Sequence, residues 1–404
     1  MEQPTLTKEQ EKVSKAIVDF ALRNKRGYMA VAGYAGTGKT TVMGVSAARI
    51  INSRPDISIG YCAPTGKAAS VLGRKLIDFG AMNENSSVHT VHGHIYRLNR
   101  KASKGGKMVW DRKSDALPYD MLVVDEASMV TRTMFNDIMS YEVPVVFIGD
   151  SGQLPPVNSS IFTPLTRTQH VLTEVHRQAL ENPIIRWATE IRNGGAIPAT
   201  TNASFAYMSK RDPRASKIRD SFIQKLPDGD SMILCGMNKT RIALNVMARN
   251  ALGHSANGTL PGKGERVICL KNVRDREICN GQIFTVRGSG PISANDSCYM
   301  LDVGMGGYMV AYSGALHSEN GTRLAQSMAS ESAEIKMCLA SSSQDEAYLF
   351  DFGYSCSVHK AQGSEWDNVL LYAERNSHMS DDDYRRWLYT GMTRARNKLC
   401  IFVS

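Results

Sequence analysis

At 404 residues the chain is too long for one ordinary core, since compact domains run roughly 100–200 residues, and two to four units are expected. A composition of 42% hydrophobic and 22% charged residues excludes a disordered chain, and no apolar run reaches the ~18 residues of a membrane span. The formal net charge of +9 favours a polyanionic partner, because clustered Lys and Arg release counterions from a phosphate backbone, although many basic proteins bind nothing of the kind. In chain order, a helix is expected from Glu9 to Asn24, an apolar strand at Tyr28–Ala32 and a second helix at Thr40–Asn52. Further apolar runs follow at Ile57–Ala63, Met121–Val124, Val143–Ile148, Met232–Cys235, Val369–Tyr372 and Leu399–Val403. Their length and lack of polar alternation read as strands buried on both faces, as in parallel α/β sheets.

Two α/β blocks are therefore predicted, one over roughly the first 175 residues and one over most of the rest. Two segments break the rhythm. Residues 92–118 are basic, with Gly105-Gly106 at their centre, and read as a β-hairpin insertion. Residues 259–346 hold short β-rich runs among Gly, Ser and Asn, and read as a small β-barrel insertion. The eight cysteines include no CxxC pair, so neither a zinc site nor a thioredoxin-like motif is expected. Cys62, Cys235 and Cys400 lie in apolar runs and read as reduced, buried thiols in a reducing compartment. The N-terminal MEQPTLTKEQ has no apolar signal core.

Gly33-Tyr-Ala-Gly36-Thr37-Gly38-Lys39-Thr40 matches G-x-x-x-x-G-K-[ST] between a predicted strand and a predicted helix. The glycines let backbone N–H groups wrap phosphates, and the helix N-terminus adds positive potential. Lys39 is expected at the β- and γ-phosphates, Thr40 on Mg²⁺ and Thr41 beside them. A P-loop needs an acidic group on a neighbouring strand, and Met121-Leu-Val-Val-Asp125-Glu126 supplies two at a strand end. Asp125 would hold Mg²⁺, and Glu126 would polarise the attacking water. These segments indicate an NTPase, but kinases, GTPases and transporters share the P-loop.

The ordered set of further motifs resembles superfamily 1 DNA helicases, and within them the RecD/Dda-like 5′-to-3′ group, superfamily 1B. Leu6-Thr-Lys-Glu-Gln10 resembles the Q motif, Ala63-Pro64-Thr65-Gly66-Lys67-Ala68-Ala69 motif Ia, and Thr90-Val91-His92 the short motif after it. Gly149-Asp150 to Gln153-Leu154-Pro155-Pro156-Val157 resembles motif III, and Leu172 to Arg177-Gln178 motif IV. Ser357 to Glu365 resembles motif V, and Tyr389-Thr390-Gly-Met-Thr393-Arg394-Ala395-Arg396 motif VI. The resemblance covers almost the whole chain and is weakest over 200–345.

The resemblance implies two RecA-like P-loop NTPase domains: 1–91 with 119–175 as ATP-binding domain 1A, and 176–258 with 347–404 as domain 2A. It places a strand-separating pin at 92–118 and an SH3-like β-barrel at 259–346. Gln10 would read adenine, Glu365 would contact the nucleotide, and Gln153 would sense the γ-phosphate. Arg177 and Arg394 would act as arginine fingers, a role worth 10³–10⁵ in rate in related NTPases. Pro64, Thr65, His92 and His359 would line a track for single-stranded DNA. Between Arg97 and Lys113, seven of 17 residues are Lys or Arg, and Tyr96 and Trp110 would stack on a base or brace the pin.

The implied activity is ATP- and Mg²⁺-dependent 5′-to-3′ translocation on single-stranded DNA with unwinding at duplex junctions, in replication, recombination or repair. A single-strand-binding protein or replisome component would be its partner. The compact chain suits a stand-alone, monomeric helicase of the phage kind in the (host) cytoplasm. An RNA helicase of the same superfamily and an ATP-gated remodeller without a working pin are the alternatives. A small-molecule kinase explains neither motif V nor motif VI.

Overall fold

The computed structural model describes residues 4–23, 26–98, 110–113, 116–156, 163–175, 181–254, 258–271, 278, 280–292, 295–318 and 347–403. The described chain forms two compact units, one comprising Met1–Arg97, Trp110–Gly195 and Asp381–Thr393, the other Ala196–Ser380 and Arg394–Ser404.

The first unit opens with α1 (Lys8–Leu22), whose start is fixed by a reciprocal capping box between Thr7 and Gln10 and whose Val13, Ile17 and Ala21 stripe is buried. There follow β1 (Gly27–Gly33), α2 (Lys39–Ser53), β2 (Ile59–Ala63), α3 (Gly66–Asp78), β3 (Ser87–Thr90) and α4 (Val91–Ile95). Two short strands, β4 (Tyr96–Leu98) and β5 (Trp110–Arg112), pair as a two-stranded sheet. The core resumes with β6 (Met121–Val124), α5 (Arg132–Met139), β7 (Pro144–Gly149), β8 (His170–Leu172) and α6 (Pro183–Arg192). The six-stranded sheet has the order β3-β2-β6-β7-β1-β8, with every pair parallel. Both faces are covered. Val123, Val146 and Tyr61 pack with the α1–α3 side, while Leu122, Val124 and Phe147 pack with Val91, Ile95 and Ile138. This two-sided burial is why the strands read as continuous apolar runs.

The second unit contains β9 (Thr200–Thr201), β10 (Phe205–Ser209), α7 (Pro213–Ile223), β11 (Ser231–Cys235) and α8 (Asn238–Ala251). Next come β12 (Arg266–Cys269), β13 (Ile283–Thr285), β14 (Gly288–Ile292), β15 (Asn295–Asp302), β16 (Met309–Tyr312), β17 (Phe350–Phe352), β18 (Ser355–Ser357) and β19 (Trp366–Ala373). Helix α9 (Asp381–Met392) belongs to the first unit, and β20 (Ala395–Val403) closes the second. The larger sheet runs β18-β11-β19-β20-β10-β9, parallel except at the β9 edge. Two antiparallel three-stranded sheets, β13-β12-β17 and β14-β15-β16, share a core of Val267, Val286, Tyr299, Leu301 and Phe350. The first of them extends past residue 346, because Phe350–Phe352 pairs with Arg266–Cys269.

The expected partition of the two blocks needs one correction. Segments 181–195 and 381–393 were assigned to the second block by sequence, yet both lie in the first unit. The reason is packing and hydrogen bonding: α9 buries Trp387 to Met392 and bonds to the turn after β7, as described below.

One buried ion pair holds the second unit's large sheet region to its small sheets. Arg249 on α8 donates from Nε to Glu265 Oε1 at 2.7 Å and from Nη2 to Oε2 at 3.1 Å, with its guanidinium 4.0 Å from the Phe352 ring centre. Glu265 is fully buried. Arg249→Met should cost about 3–5 kcal/mol, because it strands a buried carboxylate; the lowered thermal midpoint is the readout, and an unchanged midpoint would refute it.

Among the described residues Cys62, Cys235, Cys269, Cys298, Cys356 and Cys400 are buried, and burial pushes the Cys400 thiol up to about 12. No helix among the described residues is long and apolar enough to cross a membrane.

Candidate active site

The loop after β1 turns on two left-handed glycines, Gly36 at φ 79° and Gly38 at φ 78°, which other residues adopt at a cost. Gly33 is needed for space: a Cβ there would lie 2.7 Å from Thr37 Oγ1 and 2.9 Å from Lys39 Cγ. Gly38 caps α2 without any side-chain hydrogen bond, leaving the helix's first-turn N–H groups, at Lys39, Thr40 and Thr41, to an external acceptor. Thr37 points inward and donates to Tyr34 O at 2.8 Å, so only its backbone faces the loop's concavity. Lys39 Nζ reaches Tyr34 O at 3.0 Å and lies 3.9 Å from Asp150 Oδ2.

Gln10 is buried beneath this loop. Its Nε2 donates to Thr37 O at 2.9 Å and its Oε1 accepts from Thr7 N at 3.0 Å, so the residue expected to read adenine is a brace between α1 and the loop in this structure.

Both carboxylates sit at the C-terminal end of β6, where ligands of open parallel sheets bind. Asp125 Oδ1 accepts from Glu126 N at 2.9 Å, and Asp125 N donates to Cys62 O of the neighbouring strand β2. Glu126 adopts a left-handed backbone, φ 50° and ψ 43°, an arrangement costing about 1–3 kcal/mol in a non-glycine residue. Gln153, in the turn after β7, is buried, and its Oε1 has no hydrogen-bond partner among the described residues.

Sequence reasoning gave no role to three residues that the structure brings to this loop. Asp150 is fully buried and accepts from Gly152 N at 2.9 Å through Oδ1. Tyr389 on α9 donates its hydroxyl to Asp150 Oδ2 at 2.7 Å and accepts from Ala35 N at 2.8 Å, tying the motif VI helix to the phosphate loop. Burial, and then the Asp150 charge, hold the phenol well above its usual range, so it stays a donor. Thr390 Oγ1 accepts from Leu154 N and Arg386 donates to Ser151 O, fixing the same helix on the same turn. Arg192, at the end of α6, stacks on Tyr34 with its guanidinium carbon 3.5 Å from the ring centre. The available signal was the polar content of the motifs themselves: an acid directly after an apolar strand and a tyrosine on a buried helix face.

Tyr389→Phe removes a hydrogen bond to a buried charge and should lower stability by about 1.5–3 kcal/mol. Thermal unfolding measures it, and an unchanged midpoint would show that the hydroxyl does not hold the loop.

Pro64 and Thr65 follow β2, and His92 follows the adjacent β3, so they meet at one end of the sheet through the Ala63–Thr90 register. Thr65 caps α3 by accepting from Ala68 N at 3.2 Å. His92 lies 5.1 Å from the Tyr96 ring and 5.6 Å from Trp110, so both aromatics brace the base of the β4–β5 sheet. Residues 99–109, which hold most of the basic run, and Arg177 lie outside the described residues.

In the second unit, Arg394 and motif V meet. Arg394 Nη1 donates to Ser364 O at 3.2 Å, and Trp366 N donates to Arg394 O at 2.9 Å, which sets exposed Glu365 beside them. Arg394 is buried, whereas the Arg396 side chain, 52% exposed, pairs with Asp367 at 2.9 Å. His359, half-buried in the turn after β18, has its basicity lowered by burial.

The residues fit a nucleoside triphosphate: the Gly33 cradle and the uncapped α2 N-terminus both favour a phosphate-bearing ligand. No group of three or more His, Cys, Asp or Glu among the described residues forms a metal cage. Mg²⁺ characteristically binds through one or two protein ligands plus phosphates, which Thr40 and Asp125 match.

A family model described as an AAA domain matches residues 5–208, just over half of the chain, and a UvrD-like helicase C-terminal domain matches residues 352–402. The ATP-dependent RecD2 DNA helicase of Deinococcus radiodurans is 28% identical over 90% of this chain and 45% of its own length. The ATP-dependent DNA helicase dda of Enterobacteria phage T4 is 31% identical over 44% of this chain and 40% of its own. The chain thus spans less than half of either relative. A crystal structure of Pif1 helicase from Bacteroides in complex with ADP-AlF3 and ssDNA shares the fold, with TM-score 0.53 and 16% identity over 99% of this chain and 92% of that one. The chain belongs to the AAA domain family, and it is similar to the RecD2 and dda helicases.

Proposed function

We propose that this chain is an ATP-dependent DNA helicase that moves 5′-to-3′ along single-stranded DNA and opens duplex junctions in replication, recombination or repair. The observation that carries most weight is the phosphate loop with Lys39 3.9 Å from Asp150, braced by the motif VI helix at the end of the parallel sheet that also carries Asp125 and Glu126. Bound Mg²⁺–ATP supplies the phosphoanhydride bond whose hydrolysis drives the cycle. Lys39 and the loop N–H groups hold the phosphates, Thr40 and Asp125 hold the metal, and Glu126 takes a proton from water. Gln153 senses the terminal phosphate, while Arg177 and Arg394 neutralise charge that develops on it. Gln10 acts through the loop that it braces, and Glu365 through its place beside Arg394.

Pro64, Thr65, His92 and His359 grip the strand without reading sequence. The β4–β5 arm carries the pin, the two larger sheets are the RecA-like blocks, and the two small sheets are an SH3-like module. The enzyme works as a cytoplasmic monomer alongside a single-strand-binding protein or replisome component.

The test is ATP turnover with and without single-stranded DNA, then unwinding of duplexes with a 5′ or a 3′ tail. DNA-stimulated turnover with unwinding only from the 5′ tail is expected. Deleting residues 100–107 should abolish unwinding and leave stimulated turnover in place; loss of neither would remove the pin. Stimulation without unwinding from either tail would favour a remodeller, and stimulation by RNA alone an RNA helicase.

A further inference from the structure

We infer that a groove on the second unit is a docking site for an acidic peptide bearing an apolar anchor residue. The groove has a volume of about 390 Å³ and lies between the second half of α7, the N-terminal ends of β10 and β19, and the middle of β20. Its floor is apolar and built from Phe205, Phe222, Val369, Leu399 and Cys400, all buried. Its rim carries Lys217, Lys225 and Lys398, all exposed, and no lining residue is acidic. None of these lysines makes an ion pair with another described residue. The neighbouring charges are already matched locally, Arg219 with Asp220 and Arg396 with Asp367.

Three cations without an ion-pair partner around an apolar floor favour an anionic ligand. The volume lies at the small end of specific ligand pockets, enough for one or two anchoring side chains. Nucleic acid is the poorer occupant: single-strand sites present aromatic faces on which bases stack, whereas Phe205 and Phe222 form the buried floor. An acidic segment with an aromatic or aliphatic anchor matches rim and floor together, with charge setting encounter and burial setting residence.

The probe is a fluorescein-labelled peptide, Asp-Asp-Asp-Asp-Leu-Phe, titrated with the full chain at low and high salt. Saturable binding that weakens with salt is expected, with about a tenfold loss in Lys217→Glu/Lys398→Glu and a similar loss when the anchor pair is replaced by Ser-Ser. Ser221→Trp, which fills the groove from an exposed lining position, should also abolish binding. Thermal unfolding and DNA-stimulated turnover of each variant report an intact fold. Peptide binding unchanged by these substitutions would overturn the proposal. So would substitutions that weaken binding of oligo(dT) and not of the peptide, since the groove would then be a nucleic-acid contact.

Discussion

Glutamine in place of Glu126 should lower ATP turnover about 10²–10⁴-fold, the usual contribution of a general base, while nucleotide binding changes only a few-fold. The two side chains have the same shape, so the left-handed turn at this position and the neighbouring Asp125 contact should persist. What is lost is proton acceptance next to the attacking water. Binding of a fluorescent ATP analogue and single-turnover hydrolysis separate the two effects. If turnover fell and affinity fell with it, Glu126 would be holding the fold of the sheet edge. If turnover hardly changed, another group would be the base.

Lysine in place of Arg394 should lower turnover by about 10³-fold or more, the range for loss of an arginine finger. Lysine keeps the charge but not the planar fork, so a purely electrostatic tether would survive the change. Arg394 is also buried and bonded to Ser364 O, so stability must be measured beside activity. Arg396→Ala is the internal comparison. Its exposed pair with Asp367 is worth about 0–1 kcal/mol, and turnover should stay within about twofold. Equal losses in both variants would place the effect in the strand rather than in Arg394.

The contrast between these arginines marks how far the sequence could be read. The pattern Thr393-Arg394-Ala395-Arg396 left a surface ion pair open for either, and only the fold separates them: Arg394 lies buried just before β20 and bonds to Ser364 O, whereas Arg396 lies in the exposed first half of the strand. Strands β1, β2, β6, β7, β11, β19 and β20 were legible because burial on both faces leaves an unbroken apolar run. Short strands such as β3, β9 and β18 carry no such run, and their place depends on the neighbours they pair with.

The phosphate loop and both carboxylates were legible because backbone geometry and metal chemistry demand those residue types at that spacing. The Tyr389–Asp150 bond was not, because its partners stand 239 positions apart and neither neighbourhood predicts the other. Gln10 shows a subtler limit. Its spacing from Thr7 is that of a capping box, and the same amide that closes the helix also reaches the loop.

The position of α9 within the first unit has a consequence for how this site comes into being. The chain leaves that unit at Gly195 and returns only at Asp381. A polypeptide growing from its N-terminus therefore carries the loop, the carboxylates and Asp150 for nearly two hundred further residues before the hydroxyl that meets Ala35 exists. On the proposed mechanism a fragment ending at Gly195 lacks this brace and should behave as a binder of phosphate more than as a motor.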